Sequence, residues 1–101
     1  MDEEKAKQEL GTFDSRTEDN LNTLIPSLQR AVREWLKNKV MPWAEAEGIT
    51  VKIICGTRTF LEQDALYSQG RTTKGNKVTN AKAGSSYHNY GVALDIGLFT
   101  A

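Results

Sequence analysis

The chain has 101 residues, 39% apolar and 26% charged, with 13 basic and 13 acidic side chains and a formal net charge of zero. That composition suits one small soluble domain and excludes a disordered or fibrous chain, while the balanced charge supplies no field to draw the protein to phosphate backbones or anionic lipid. Nucleic acid is therefore not an expected partner; the N-terminus lacks the apolar core of a signal peptide, and no run approaches the roughly 20 apolar residues of a membrane span.

Residues 1–14 form a polar leader, anchored only by Leu10 and Phe13, which is expected to be a frayed helix or a disordered arm ahead of a single domain over 15–101. Ser15 and Glu18 stand at capping-box spacing, and Leu21, Leu24, Ile25, Leu28, Val32, Trp35 and Leu36 recur at helical intervals along one face. Pro26 lacks an N–H and disfavours helical geometry at Ile25, so the stretch divides into a short helix and a longer one that Pro26 opens. The longer helix is predicted to run to about residue 39, with Pro42 bending or restarting it and Gly48 capping its end. Trp35 and Trp43 read as core or rim packing.

Residues 49–55, Ile-Thr-Val-Lys-Ile-Ile-Cys, alternate and then turn apolar throughout, which marks a strand entering the core. Its last residue, Cys55, is the only cysteine, so it makes no internal disulfide and is compatible with synthesis in a reducing cytoplasm; it reads as a packed core thiol. Gly56 ends the strand. Thr59 and Glu62 repeat the capping-box spacing ahead of a helix over 60–69 that Gly70 closes. Residues 70–86 read as a long loop with room for a small hairpin, and its basic residues Arg71, Lys74, Lys77 and Lys82, interrupted by Gly and Asn, as a solvated stretch. Loops of that length inside a compact domain are often functional. After Gly91 a second strand is predicted over 92–96, with Val92, Leu94 and Ile96 on one face and Ala93 with Asp95 on the other. The order points to an α+β fold, N-terminal helices packed on a small antiparallel sheet, with a polar cleft over a buried sheet face.

His88 is the only histidine, and Asp95 follows seven residues later. That pair by itself fits either a structural histidine with a strand aspartate, or metal or acid–base chemistry. The wider run Ser86-Tyr87-His88-Asn89-Tyr90-Gly91-Val92-Ala93-Leu94-Asp95 resembles the S-x-H-x-x-G-x-A-x-D signature of the zinc D-alanyl-D-alanine carboxypeptidase and L-alanyl-D-glutamate endopeptidase family, VanY-like enzymes and phage endolysins among them. Upstream, Gly56-Thr57-Arg58-Thr59 with Gln63 is similar to the family's G-x-R-[ST] segment and its following Gln. Leu66 to Thr72, Val78-Thr79-Asn80-Ala81 and Gly84 resemble the approach to the metal motif in the endopeptidase branch, and Asn20-Leu21 with residues 24–28 resemble the opening helices. The likeness covers about residues 15–97.

The resemblance implies a Zn²⁺ site at the sheet edge or cleft, with His88 and Asp95 as two of three protein ligands and Gly91 permitting the tight path between them. It implies that Arg58 faces the polarised carbonyl or a substrate carboxylate, that Gln63 hydrogen-bonds the substrate peptide, and that Ser86 binds a substrate carboxylate or backbone. The blander readings are a surface arginine after a strand for Arg58 and an ordinary helix residue for Gln63, while Ser85, beside the favoured Ser86, could equally be a turn residue. Family members continue into strands carrying a catalytic glutamate and a second histidine. This sequence has no second histidine and no glutamate after Glu62. The 101 residues alone are accordingly expected to bind zinc weakly, to have little or no activity, and to leave a bare edge on the 92–96 strand.

The expected parent is a peptidoglycan peptide hydrolase, an L-alanyl-D-glutamate endopeptidase first and a D,D-carboxypeptidase next. Its partner would be the peptidoglycan stem peptide, its state monomeric, and its route synthesis in the cytoplasm followed by export or release to the wall. The alternative from a different class is a non-enzymatic remnant that binds cell-wall peptides through Arg58, Gln63 and Ser86.

Overall fold

The computed structural model describes residues 3–100. Helix α1 (Glu3–Leu10) is followed by α2 (Ser15–Leu21), α3 (Pro26–Trp35), one π turn (Leu36–Val40) and α4 (Met41–Glu47); then come strand β1 (Ile49–Cys55), α5 (Phe60–Ser68), a short 3₁₀ turn (Tyr87–Asn89) and strand β2 (Asp95–Thr100). The two strands form one antiparallel sheet, so the α+β class expected from the sequence holds. Among the described residues no helix is long and apolar enough to cross a membrane.

Proline and glycine set most boundaries as expected. Pro26 opens α3, and Gly48 ends α4 in the left-handed region at φ 68°, which costs glycine little. Pro42 removes one donor and crowds the carbonyl four residues back. The chain responds by widening one turn, in which the Met41 N–H reaches Leu36 O, and the helix then continues.

The cap of α2 falls one residue earlier than the spacing suggested. Asp14, not Ser15, takes the position, accepting from the Thr17 N–H at 3.0 Å and the Thr17 hydroxyl at 2.7 Å. Glu18 is required elsewhere: it accepts from the Phe13 N–H at 2.9 Å and forks onto Arg33 at 2.8 and 2.9 Å. Arg33 is fully buried on α3, and a buried guanidinium demands a carboxylate. Residues 3–10 of the leader are helical and lie along α3, joined to it by the Glu9–Arg30 ion pair.

The core gathers Leu21, Leu24, Val32, Leu36 and Ile53, with Phe13, Leu28, Val40, Met41 and Leu94 packed around them. α2 also closes one edge of β1: the Ile53 N–H donates to Thr17 Oγ1 at 3.0 Å, and the Asn20 amide donates to Ile53 O at 2.7 Å. Trp35 and Trp43 are 45% and 48% exposed and flank an apolar groove with Val40, Val51, Ile96 and Leu98, so their role is rim packing.

Two sequence expectations are corrected. The second strand is not residues 92–96; pairing begins at Asp95 and continues to Thr100, opposite Ile49. Residues before it are held by other contacts: Gly91 O accepts from the Ile25 N–H, and Leu94 reaches the core. The 70–86 loop contains no hairpin, only a parallel bridge between Gln69 and Thr73. Arg71 is not a solvated charge but the loop's organiser. It donates to Tyr67 O and Thr79 O at 2.6 and 3.1 Å, reaches Asn80 Oδ1 at 3.3 Å, and stacks 3.9 Å over the Tyr67 ring.

Candidate metal centre

The sequence brings two separate segments to the open end of the sheet, one leaving β1 and one entering β2. The first is Cys55 to Arg58. Gly56 is buried against α2, where an added Cβ would lie 2.3 Å from Thr23 Oγ1 and 2.4 Å from Asn20 O. Thr57 is fastened next to it: its N–H donates to Thr23 Oγ1 at 2.7 Å and its hydroxyl to Thr23 O at 2.6 Å. α5 then begins with both halves of a capping box, the Thr59 hydroxyl accepting from the Glu62 N–H at 3.0 Å and the Glu62 carboxylate from the Thr59 N–H at 2.8 Å. Hydrogen bonding from the Thr59 backbone and side chain holds the Glu62 carboxyl below its usual range.

The second segment is the 3₁₀ turn with His88. Ser86 caps it, its hydroxyl accepting from the His88 N–H at 3.2 Å. Asn89 binds the turn to the first segment: its amide donates to Arg58 O at 2.9 Å, while its carbonyl accepts from Gly84 N at 3.1 Å and Ser86 N at 3.4 Å. The Arg58 N–H closes the junction on His88 O at 2.6 Å.

The side chains converge accordingly. His88 Nδ1 lies 3.0 Å from Gly56 O, and since a carbonyl only accepts, Nδ1 is the donor in that bond. Nε2 faces Asp95 Oδ1 at 3.4 Å. The other Asp95 oxygen lies 3.6 Å from Arg58 Nη2. Arg58 is also held from beneath: Nη1 donates to Gln63 Oε1 at 2.8 Å, and the Gln63 amide donates onward to Ala81 O at 2.7 Å. Gln63 is fully buried, with both ends of its amide engaged within the protein.

Cys55 departs from its sequence reading as a core thiol. It is half-buried, and its sulfur lies 4.0 Å from His88 Nδ1 and 3.7 Å from Arg58 Nη2. The cause is a bulge. β1 pairs regularly through Ile53 opposite Ile96, and then Cys55, not Ile54, stands opposite Asp95. The extra residue resets the alternation, so Cys55 leaves the face of Val51 and Ile53 and joins Asp95. Nothing in the spacing of apolar residues announces that shift. The part played by Asn89 was also missed, although Ser86 and Asn89 stand three residues apart, the separation of a capping box.

Donor atoms of Cys55, His88 and Asp95 all lie within 4.8 Å of one another, close enough to address one cation. Imidazole nitrogen and carboxylate oxygen are suitable zinc donors, and the Nδ1 hydrogen bond presets the tautomer that a metal-ligating histidine requires. His88 and Asp95 therefore fit a zinc ion. Beside them a cleft of about 350 Å³ is lined by Cys55, Arg58, Glu62, Ala65, Leu66 and Gln69.

Helices on a small antiparallel sheet, with a histidine, a carboxylate and a braced arginine at its open end, make an α+β domain with a candidate metal centre. Residues 26–100 match the VanY family, D-alanyl-D-alanine carboxypeptidase, and the chain belongs to that family. It is also 60% identical over 55 residues to the peptidoglycan L-alanyl-D-glutamate endopeptidase CwlK of Bacillus subtilis (strain 168), a match covering 54% of this chain. The match takes in 33% of CwlK, so the chain spans about a third of that relative's length.

Proposed function

We propose that the protein is a zinc-dependent hydrolase of peptidoglycan stem peptides that cuts the L-alanyl-D-glutamate bond. The observation that carries this reading is the convergence of His88 Nε2, both Asp95 oxygens and the Arg58 guanidinium, beside an open cleft that Arg58 lines. Identity to CwlK supports the choice of bond.

His88 and Asp95 would hold the ion, Asp95 through an exposed carboxylate that can still adjust. Zinc, when bound, supplies a Lewis acid that activates water near neutral pH and polarises a carbonyl oxygen. Arg58 lines the cleft as a planar cation with several N–H donors, suited to a substrate carboxylate or to charge developing on an oxygen. Such a stem peptide, rich in carboxylates, presents what that guanidinium recognises. Gln63 acts through Arg58, as a positioning residue. Ser86 holds the His88 main chain and thereby the height of the imidazole above the sheet.

The test is to incubate the protein encoded by the complete reading frame with purified muropeptides and zinc, and to identify new termini by mass spectrometry. A new C-terminal L-alanine with an N-terminal D-glutamate is expected, and a chelator should abolish it. Release of free D-alanine instead would assign a D,D-carboxypeptidase. Binding of stem peptide with no cleavage would replace the enzyme by a wall-peptide-binding protein.

A further inference from the structure

Zero net charge conceals an uneven distribution. Four of the chain's 13 basic residues and none of its 13 acidic ones fall between residues 65 and 94, a stretch that holds the second half of α5 and the whole 70–86 loop. Arg71 is spent within the loop on carbonyls and on the Tyr67 ring, and Lys82 lies 5.6 Å from that same ring. Lys74 and Lys77 are exposed, and among the described residues neither ammonium has a partner.

Their place follows from how the loop packs on Gln69 and Gly70. Gln69 Nε2 donates to Asn76 O at 3.1 Å. A Cβ added to Gly75 would lie 2.8 Å from Gln69 Cγ, and one added to Gly70 would lie 2.6 Å from Lys77 N. Residues 75–77 therefore wrap the Gln69 side chain and the turn behind it. Gln69 itself lines the cleft, with Leu66, Ala65 and Glu62 before it on the same face of α5 and Arg58 ahead of the helix. From Glu62 to Gln69 is about 10 Å at 1.5 Å per residue, the length of about three residues of extended peptide.

We infer that the 70–86 loop is a second anchor of the substrate cleft: Arg58 holds one carboxylate of a stem peptide, and Lys74 and Lys77 hold another two residues further along. This rests on the peptidoglycan reading above and names the part of the substrate that lies away from the reacting bond. The two anchors differ as their positions require. Arg58 is planar and braced by Gln63, so it fixes the carboxylate nearest the metal centre, whereas an exposed ammonium on a flexible stem attracts a carboxylate without fixing its geometry. Between them Ala65 and Leu66 give an apolar floor, which a polymer of phosphates drawn to the lysines alone would leave unused.

The test reads binding apart from cleavage. The protein encoded by the complete reading frame, with a chelator present to stop turnover, is titrated calorimetrically with a synthetic stem tetrapeptide bearing free carboxylates and with the same peptide amidated at its C-terminus. Wild type, Lys74→Gln, Lys77→Gln and the double variant are compared with an Arg16→Gln, Lys39→Gln double variant, which removes the same charge from exposed positions elsewhere. Circular dichroism confirms folding. For the free-acid peptide Kd is expected to rise about three- to fivefold in each single loop variant and on the order of tenfold in the double, and to be unchanged in the Arg16 and Lys39 control. The amidated peptide should bind wild type about as weakly as the free acid binds the double loop variant. Salt gives a reading that requires no substitution: ionic strength raised from about 0.01 to 0.15 M cuts the screening length from about 30 to 8 Å and should weaken the free acid more than the amide.

Equal affinity of wild type and the double loop variant for the free-acid peptide, with that peptide still cut by the zinc-loaded protein, overturns the loop anchor and leaves the proposed function standing. Absence of both binding and cleavage overturns both. Binding of a polyglycerol phosphate that the double loop variant loses, with peptide affinity unchanged, assigns the lysines to an anionic wall polymer and likewise overturns the anchor.

Discussion

The main-chain N–H of Arg58 donates to the carbonyl of His88 at 2.6 Å, and Asn89 returns a bond from its amide to Arg58 O at 2.9 Å. Segments 30 residues apart in sequence are thus locked main chain to main chain, and the side chains of the candidate centre inherit their separation from that junction. Asn89→Ala removes the donor to Arg58 O and the acceptor for Gly84 N and Ser86 N. At about 1 kcal/mol net per bond, a loss of about 3 kcal/mol is expected from urea unfolding. Zinc affinity should fall with it, although Asn89 touches no ligand atom. Asn89→Asp, which keeps the acceptor and loses the donor, should be intermediate; equal stability of all three proteins would show that the junction does not depend on this side chain.

Arg33 and Glu18 set the response to acid. Burial alone would raise the Glu18 carboxyl, but hydrogen bonds from Arg33 and the Phe13 N–H, together with the Arg33 charge, lower it from its ordinary 4.5. A carboxyl lowered in the folded state stabilises fully above its unfolded value and loses that contribution as pH falls through the folded one. Stability should therefore decline as pH drops below about 4.5, and Glu18→Gln should show a shallower decline. Lowered values at Asp14 and Glu62 leave some slope in that variant. Arg33→Ala strands a partly buried carboxylate and should cost about 3 kcal/mol at pH 7, read from chemical unfolding.

Glycine is required at positions 56 and 91 for different reasons. At Gly56 the obstruction is space: a methyl group would press on Asn20 O at 2.4 Å, which is backbone and cannot turn aside. At Gly91 the obstruction is conformation, φ 73°, with Ile25 Cγ2 3.0 Å from an added Cβ. Gly91→Ala should cost about 1 to 2 kcal/mol from the left-handed backbone alone. Gly56→Ala should cost more, because α2 and β1 must separate. Thermal melts of the two variants provide the comparison, and a Gly56→Ala melt matching wild type would contradict the packing described.

Gln63 bridges Arg58 and Ala81 O from a fully buried position. Gln63→Leu keeps the volume but leaves the carbonyl and one guanidinium N–H unpaired, at an expected cost of about 1 to 3 kcal/mol. Gln63→Glu restores the acceptor for Arg58 while losing the donor to Ala81. If Gln63 works by positioning Arg58, turnover of muropeptides should recover in Gln63→Glu relative to Gln63→Leu at matched stability. Equal turnover in the two would assign Gln63 a purely structural part.

Much of the chain was legible without coordinates, because its signals are local. Pro26, Gly48 and the Thr59–Glu62 box act within a turn of their own positions, and β1 over residues 49–55 was read to the residue from alternation. His88, Asp95, Arg58 and Gln63 were singled out as candidates by a linear motif, and the fold brings the four side chains together. Where the sequence misled, a distant partner had outbid a local preference: Glu18 left its capping box for Arg33, 15 residues away. The second strand was placed early because its hydrophobic pattern begins at Val92, whereas its ladder begins only where β1 lies alongside.

The amino-acid order by itself determined the family, the element types and the identity of one histidine and one carboxylate as candidate ligands, since these depend on residues near each other along the chain. Only the tertiary structure decided what stands beside them. A single inserted residue at the end of β1 turns Cys55 from the core to Asp95, and Ile53 is gripped at that break in the ladder by donating to the Thr17 hydroxyl and accepting from the Asn20 amide. Strand parity is a property of the paired sheet and not of either strand, which is why the thiol's place beside the imidazole could not be read in one dimension.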